Sequence, residues 1–175
     1  MRFHEWSVGR SVGAIAFAAA ASIVTLPALS PGAAAAADPG AFAALSGVWT
    51  GSGTLSLENG TKERLRCRAQ YVVTENNTNL TQSLRCDGDT YHFHVNAFVR
   101  DKGGMLSGNW TEETRNASGT VSGRASGGTL SISVSAGGAF SAHMTVATAG
   151  SGQSVDIKVK GSDITDVSVK MGKAH

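Results

Sequence analysis

Strict two-residue alternation of apolar and polar side chains is the feature that most limits what this chain can become. Leu65, Cys67, Ala69, Tyr71 and Val73 are interleaved with Arg64, Arg66, Arg68 and Gln70. Tyr91, Phe93, Val95, Ala97 and Val99 make a second apolar row, and Leu130, Ile132 and Val134 alternate with serines. Val155, Ile157 and Val159 alternate with Ser154, Asp156, Lys158 and Lys160. Successive strand residues face opposite sides, so this pattern describes half-buried antiparallel strands rather than helices.

Turn chemistry separates the rows at short intervals. It falls at Glu58-Asn59-Gly60, Glu75 to Thr78, Asp87-Gly88, Asp101 to Gly104, Arg115 to Ser118, Gly127-Gly128, Gly137-Gly138 and Gly150 to Gly152. Gly, Asn and Asp accept the positive φ that tight hairpins need. Eight turns separate about nine strands, and a break near Asp163 makes ten. Connections this short cannot carry the crossover helices of a parallel sheet. The expected fold is therefore all-β: an antiparallel up-and-down meander of about 8–10 strands. Closing the meander into a barrel hides its edges, and a two-sheet sandwich is the alternative.

The two cysteines test that layout. A four-residue loop at 75–78 sets Thr74 opposite Asn79 and brings Cys67 directly opposite Cys86. Cross-strand neighbours are close enough for a disulfide. Loop-closure entropy puts its worth at about 3 kcal/mol, less for a hairpin that forms unaided. A two-residue Asp87-Gly88 turn then sets Cys86 opposite Asp89 and Leu84 opposite Tyr91.

The first 37 residues read differently. Arg2 and Arg10 lead an uncharged run from Val12 to Leu26, prolines 27 and 31 interrupt it, and Ala33 to Ala37 precede Asp38. A basic head, an apolar centre and small residues at the end describe a secretory signal peptide over 1–37, cleaved after Ala37. A retained anchor is the alternative. Residues 38–46 form a short N-terminal segment with room for a helical turn, and 47–175 form one barrel domain. No later apolar run reaches spanning length, so no membrane span is expected after cleavage. The expected location is the periplasm or the extracellular space, where a disulfide is the default.

Composition removes other classes. A hydrophobic content of 41% supports a core and excludes general disorder, while a net charge of +2 with mixed signs gives no footprint for nucleic acid.

Leu45 to Gly53 reads LSGVWTGSG, and LSGNWT returns at Leu106 to Thr111. The Gly47-Val48-Trp49 pair with Thr50-Gly51-Ser52-Gly53 resembles the Gly-x-Trp opening of calycin-type barrels, the lipocalin, fatty-acid-binding and nitrobindin-like group. The resemblance implies a calycin-like barrel with a basic residue from a late strand over the Trp, for which Lys160 and Lys170 are the candidates. LRCRAQY, LRCDG and SGNWTEETRN also resemble a group of small uncharacterised exported bacterial β-barrel proteins. That likeness covers more of the chain and implies no function. Similarity to nitrobindins raises haem, which needs an axial ligand, commonly His, facing the interior. His92, His94 and His143 all alternate outward, so no cofactor is expected.

Trp49, Tyr71, Tyr91, Phe93, Trp110 and Phe140 fall on the inward rows and are the candidate lining of an apolar ligand cavity; the plain alternative is that they fill the core. Their neighbours on later strands are small, among them Ala97, Gly108, Gly123, Ala125, Ala136 and Ala142. A modest cavity near Trp49 and Trp110 is the expectation. Arg64, Arg66, Arg68 and Arg85 share the outer face, with Arg68 opposite Arg85 and Arg66 opposite Asp87. They read either as solvated charge or as the contact for an anionic envelope component such as polysaccharide or lipid headgroup. His92 and His94 share a strand face but lack a third ligand, so no metal site is assigned. No nucleophile elbow, zinc-protease motif or P-loop occurs, and Glu112 and Glu113 face opposite sides of a strand; an enzyme is not expected. Two function classes remain: an exported module binding a small apolar ligand or an envelope component, or a structural envelope protein with a filled barrel.

Overall fold

The computed structural model describes residues 39–174, so the expected signal peptide at 1–37 lies outside the described residues. Ten strands follow in order: β1 (Gly47–Leu57), β2 (Lys62–Thr74), β3 (Asn79–Asp87), β4 (His92–Lys102), β5 (Met105–Glu112), β6 (Ala117–Ser126), β7 (Thr129–Ala136), β8 (Phe140–Ala149), β9 (Gly152–Lys160) and β10 (Ile164–Lys173). Each pairs antiparallel with its sequence neighbours, and β1 pairs with β10, closing an up-and-down barrel. The sandwich alternative is thereby excluded. Among the described residues there is no helix.

The β2–β3 ladder has the expected register, from Thr74 opposite Asn79 to Cys67 opposite Cys86, and the two cysteines are disulfide-bonded. The β3–β4 register departs from expectation. Cys86 pairs with Phe93 and Leu84 with Val95, because the loop is 88–91 rather than a two-residue turn. The Glu63 carboxylate, at the start of β2, explains the longer loop: it accepts hydrogen bonds from the N–H groups of Thr90 (2.8 Å) and Tyr91 (3.0 Å). Held there, those two residues cannot join the ladder. The shift is an even number of residues, so the inward rows stay inward.

Closure needs close strand approach near the β1–β10 seam. A Cβ on Gly51 would stand 2.0 Å from the Lys170 carbonyl oxygen, and one on Gly53 would stand 2.2 Å from that of Ser168. Only glycine fits such tight coiling. The Gly-x-Trp-x-Gly-x-Gly spacing thus bends β1 while Trp49 fills the interior.

The segment before β1 makes two overlapping tight turns rather than a helix, with Ala43 N–H bonded to Gly40 O and Leu45 N–H to Phe42 O. It seals one end of the barrel, hereafter the closed end. Phe42 and Trp49 are wholly buried, Leu45 is 3% exposed, and the Trp49 indole N–H donates to the Leu45 carbonyl at 2.7 Å. The Asn77 side chain, in the β2–β3 turn, donates to Pro39 O at 2.9 Å and straps the plug down. Phe42 is the core residue that alternation did not reveal, since it lies outside any strand.

Candidate functional site: the cup at the other end of the barrel

The barrel's two ends are built differently. Toward the closed end the inward residues Leu80, Val99, Leu106, Leu130 and Val146 are buried, together with Tyr71, Gln153 and Met171. The Tyr71 hydroxyl donates to Gln153 Oε1 (3.1 Å), and the Gln153 amide donates to Thr148 Oγ1 (3.2 Å), so these polar groups are satisfied. Burial raises the Tyr71 phenol to about 12, which keeps it neutral. Lys173 of β10 lies over the Trp49 ring at 5.7 Å. The expected candidates for that place, Lys160 and Lys170, alternate outward and are exposed.

Toward the opposite end the inward side chains Phe93, Val95, Val134, Phe140, Ile157 and Val159 are only half-buried. Alternation points all of them inside, where Phe93, Val134, Phe140 and Val159 pack against the core yet stay partly exposed. The inward residues beside the rings are small: Ala97, Ala117, Ala136 and Gly119. Ten strands also enclose more room than eight, whose interior side chains alone fill. We call this less deeply buried end the cup.

Two ties shape its rim. Over β1, β2 and β10 the mouth is drawn closed: Glu58 N–H bonds to Asp163 O, and the Tyr91 hydroxyl donates to the Asp163 carboxylate. That hydrogen bond raises the Tyr91 phenol above its ordinary value and lowers Asp163 below its own. The backbone N–H bonds from Tyr91 and Thr90 likewise lower Glu63. Beneath this strap Leu55, Leu65, Cys86 and Ile164 are buried. On the β4–β6 side the rim is organised by Glu112, which is 6% exposed. Burial pushes its carboxyl up, but donors from His94 N–H (3.0 Å), the Thr114 N–H and hydroxyl, and Arg115 N–H (2.8 Å) outweigh that and hold it ionised. Arg115 lies 3.8 Å from the Glu112 carboxylate and spreads over the rings of Phe93 (4.9 Å) and Tyr91 (5.7 Å).

Within the cup one polar group lacks a partner. Trp110 is 8% exposed, and its indole N–H has no acceptor among the described residues. Its ring packs against Phe140 at 5.9 Å, and a Cβ on Gly119 would lie 2.9 Å from the indole nitrogen. A glycine in β6 thus makes room for the indole in the lumen. A buried donor without a partner costs about 1–3 kcal/mol, and such groups call for an explanation.

Of the six expected cavity residues, four belong to the cup: Trp110 with Phe140, and Tyr91 stacked on Phe93 at 6.3 Å. Trp49 and Tyr71 belong to the closed end. Arg64, Arg66, Arg68 and Arg85 stand exposed on the outer wall, in the expected pairings. His92 sits 3.1 Å from Asp87 and His94 2.5 Å from Glu113, two separate carboxylates. Sequence reasoning missed Arg115 because it acts from a loop, where alternation carries no signal, and Glu63 because its role depends on contacts to Thr90 and Tyr91 that alternation does not reveal. Two other concavities, of about 370 and 410 Å³, lie on the outer wall of β4–β5 and on the closed-end rim of β7–β9; both are open and shallow.

No family model matches the sequence, and no curated protein does. Similarity is found among solved structures. Rv2717c from M. tuberculosis superposes with a TM-score of 0.61 at 11% identity, covering 77% of this chain and 96% of that one. The S-type phycobiliprotein lyase CPES from Guillardia theta gives 0.54 at 10% identity, covering 77% and 90%. These likenesses define the class by fold alone: a calycin-like closed barrel. The residues of the cup have to carry any statement of function themselves.

Proposed function

We propose that this chain is an exported binding module whose cup accepts a small apolar molecule bearing one hydrogen-bond acceptor. The unpaired Trp110 indole N–H, buried in a lumen whose walls remain half-exposed, carries the reading. Apolar walls with one well-placed polar group are the usual make-up of a small-molecule site. The ligand's acceptor would complete Trp110, and its body would lie against Phe93, Phe140 and Ile157. Binding rather than catalysis is favoured because Glu63, Glu112 and Asp163 are each held by fixed donors, leaving none poised as acid or base. A similar barrel that is a phycobiliprotein lyase supports the use of this fold around organic ligands without extending that activity here. The Cys67–Cys86 disulfide supports an oxidising, exported setting.

Anilinonaphthalene sulfonate, a fluorescent apolar probe with sulfonate acceptors, tests this reading. Saturable binding is expected, weakened about 2–10-fold in Trp110→Phe, which keeps the ring and removes the N–H. Ala136→Phe, which fills the cup, should abolish binding. Equal affinity in all three proteins, each shown folded, would refute the assignment. Native mass spectrometry of protein from its own host would then name the resident ligand directly.

A further inference from the structure

The outer wall holds a second feature, independent of the cup. Arg64, Arg66 and Arg68 project outward from β2, and Arg85 projects from β3 directly opposite Arg68. All four are exposed, and none has an ion pair or hydrogen bond among the described residues. Asp87, opposite Arg66, pairs with His92, and Glu113 pairs with His94. The same cross-strand row continues from Arg85 to His94 on β4. Like charges facing each other across a ladder destabilise it. Four guanidinium groups without an ion pair on one wall therefore mark a place where a partner supplies negative charge.

The neighbouring strand indicates what kind of partner. Thr50, Ser52 and Thr54 of β1 face outward beside Arg68, Arg66 and Arg64 respectively. Beyond them Lys170 of β10 stands opposite Ser52. The result is a strip of hydroxyl groups bordered by cations. Arginines two residues apart repeat at roughly 6.6–6.8 Å, and each presents a planar fork matched to a carboxylate. A bilayer surface would call for apolar groups among the charges, yet the exposed large apolar residues are Val72, beyond the arginine run, and Met105 of β5. A single-stranded nucleic acid would call for exposed rings to stack on. The outward rings beside the face are His94, whose imidazole is held by Glu113, and Phe98, which Arg100 covers at 5.1 Å.

We propose that the β1–β3 wall binds a linear acidic polysaccharide, with uronate carboxylates paired to Arg64, Arg66, Arg68 and Arg85 and sugar hydroxyls meeting Thr50, Ser52 and Thr54. Titrating the full-length protein with oligogalacturonate of defined length, by calorimetry at low salt, tests it. Binding is expected that weakens as salt rises. It should fall at least tenfold in Arg68→Gln/Arg85→Gln and stay unchanged in Arg100→Gln. The melting temperature of the double variant should not fall, because a repulsive pair has been removed. Arg68→Lys/Arg85→Lys keeps the charge but loses the fork, so its affinity should be intermediate; it also serves should the glutamine variant fail to fold. Uncharged galacto-oligosaccharide should not bind. Equal affinity in wild type and the double glutamine variant would overturn the proposal. So would absence of oligogalacturonate binding, or tighter binding to phosphatidylglycerol vesicles or oligodeoxythymidylate.

Discussion

The two ends of this barrel share one wall and one alternation of side chains, yet they are finished in opposite ways. At the closed end most large inward residues are buried, Tyr71 and Gln153 are paired, and a segment outside the sheet supplies Phe42 and Leu45 as a plug. At the cup end hydrogen bonds hold the rim, while the lumen keeps half-exposed rings and an unpaired indole. Trp49 and Trp110 show the contrast within one residue type. One indole N–H ends on a carbonyl at 2.7 Å, and the other has no acceptor among the described residues. On the proposed reading, stability is concentrated where the barrel is sealed and binding takes place where it is not.

The largest expected effects probe that division directly. Phe42→Ala should cost about 3–5 kcal/mol, as for a fully buried ring, whereas Phe140→Ala in the cup should cost roughly 1 kcal/mol. Denaturant titration of both variants measures the difference, and equal costs would erase the distinction between the ends. Next, Cys67→Ala/Cys86→Ala should lose about 2–4 kcal/mol, because the disulfide closes the wall between β2 and β3. Reductant should lower the wild-type melting temperature and leave that variant's unchanged.

A smaller and sharper contrast comes from one substitution made twice. Trp49→Phe orphans the Leu45 carbonyl and should cost about 1–2 kcal/mol. Trp110→Phe removes a donor that had no partner, so it should be neutral or slightly stabilising while it weakens ligand binding. If both variants are destabilised alike, Trp110 has a partner after all.

The smallest effect is on pH dependence. Glu63, Glu112 and Asp163 all titrate below their ordinary values in the folded state. Their contribution is therefore complete above the usual carboxylate range and is lost as pH falls through the depressed values. Acid should loosen the cup rim first, with faster amide exchange at 88–91 and 113–116 than at 41–45. Tyr71, raised to about 12, acts in the other direction: its contribution is present below the ordinary phenol value and fades as pH rises toward 12. Exchange that rises first at the closed end in acid would contradict this assignment.

Alternation made most of the wall legible. The strand rows, the β2–β3 register and the arginine face all follow from a period of two with turn residues between. The β3–β4 register did not follow, because Glu63 reaches from another strand to hold Thr90 and Tyr91 out of the ladder. The plug was equally hidden: Phe42 sits in a non-periodic segment, and only its contact with the barrel gives it a role. Lys173 escaped because no hairpin joins β1 to β10, so no turn length reveals the register that sets it opposite Trp49. In the cup, inward rings could be read from the sequence, but which end would be filled depended on the plug. Local pattern thus predicts walls well and predicts poorly what closes over them.

The most direct test of the account follows the indole N–H resonances of Trp49 and Trp110 in an NMR titration with anilinonaphthalene sulfonate, each assigned through its Phe variant. The account predicts that the Trp110 signal shifts and becomes protected from exchange on binding, while the Trp49 signal, protected from the outset, does not move. Movement of Trp49 with Trp110 unchanged would contradict it, as would saturable binding that leaves both signals in place.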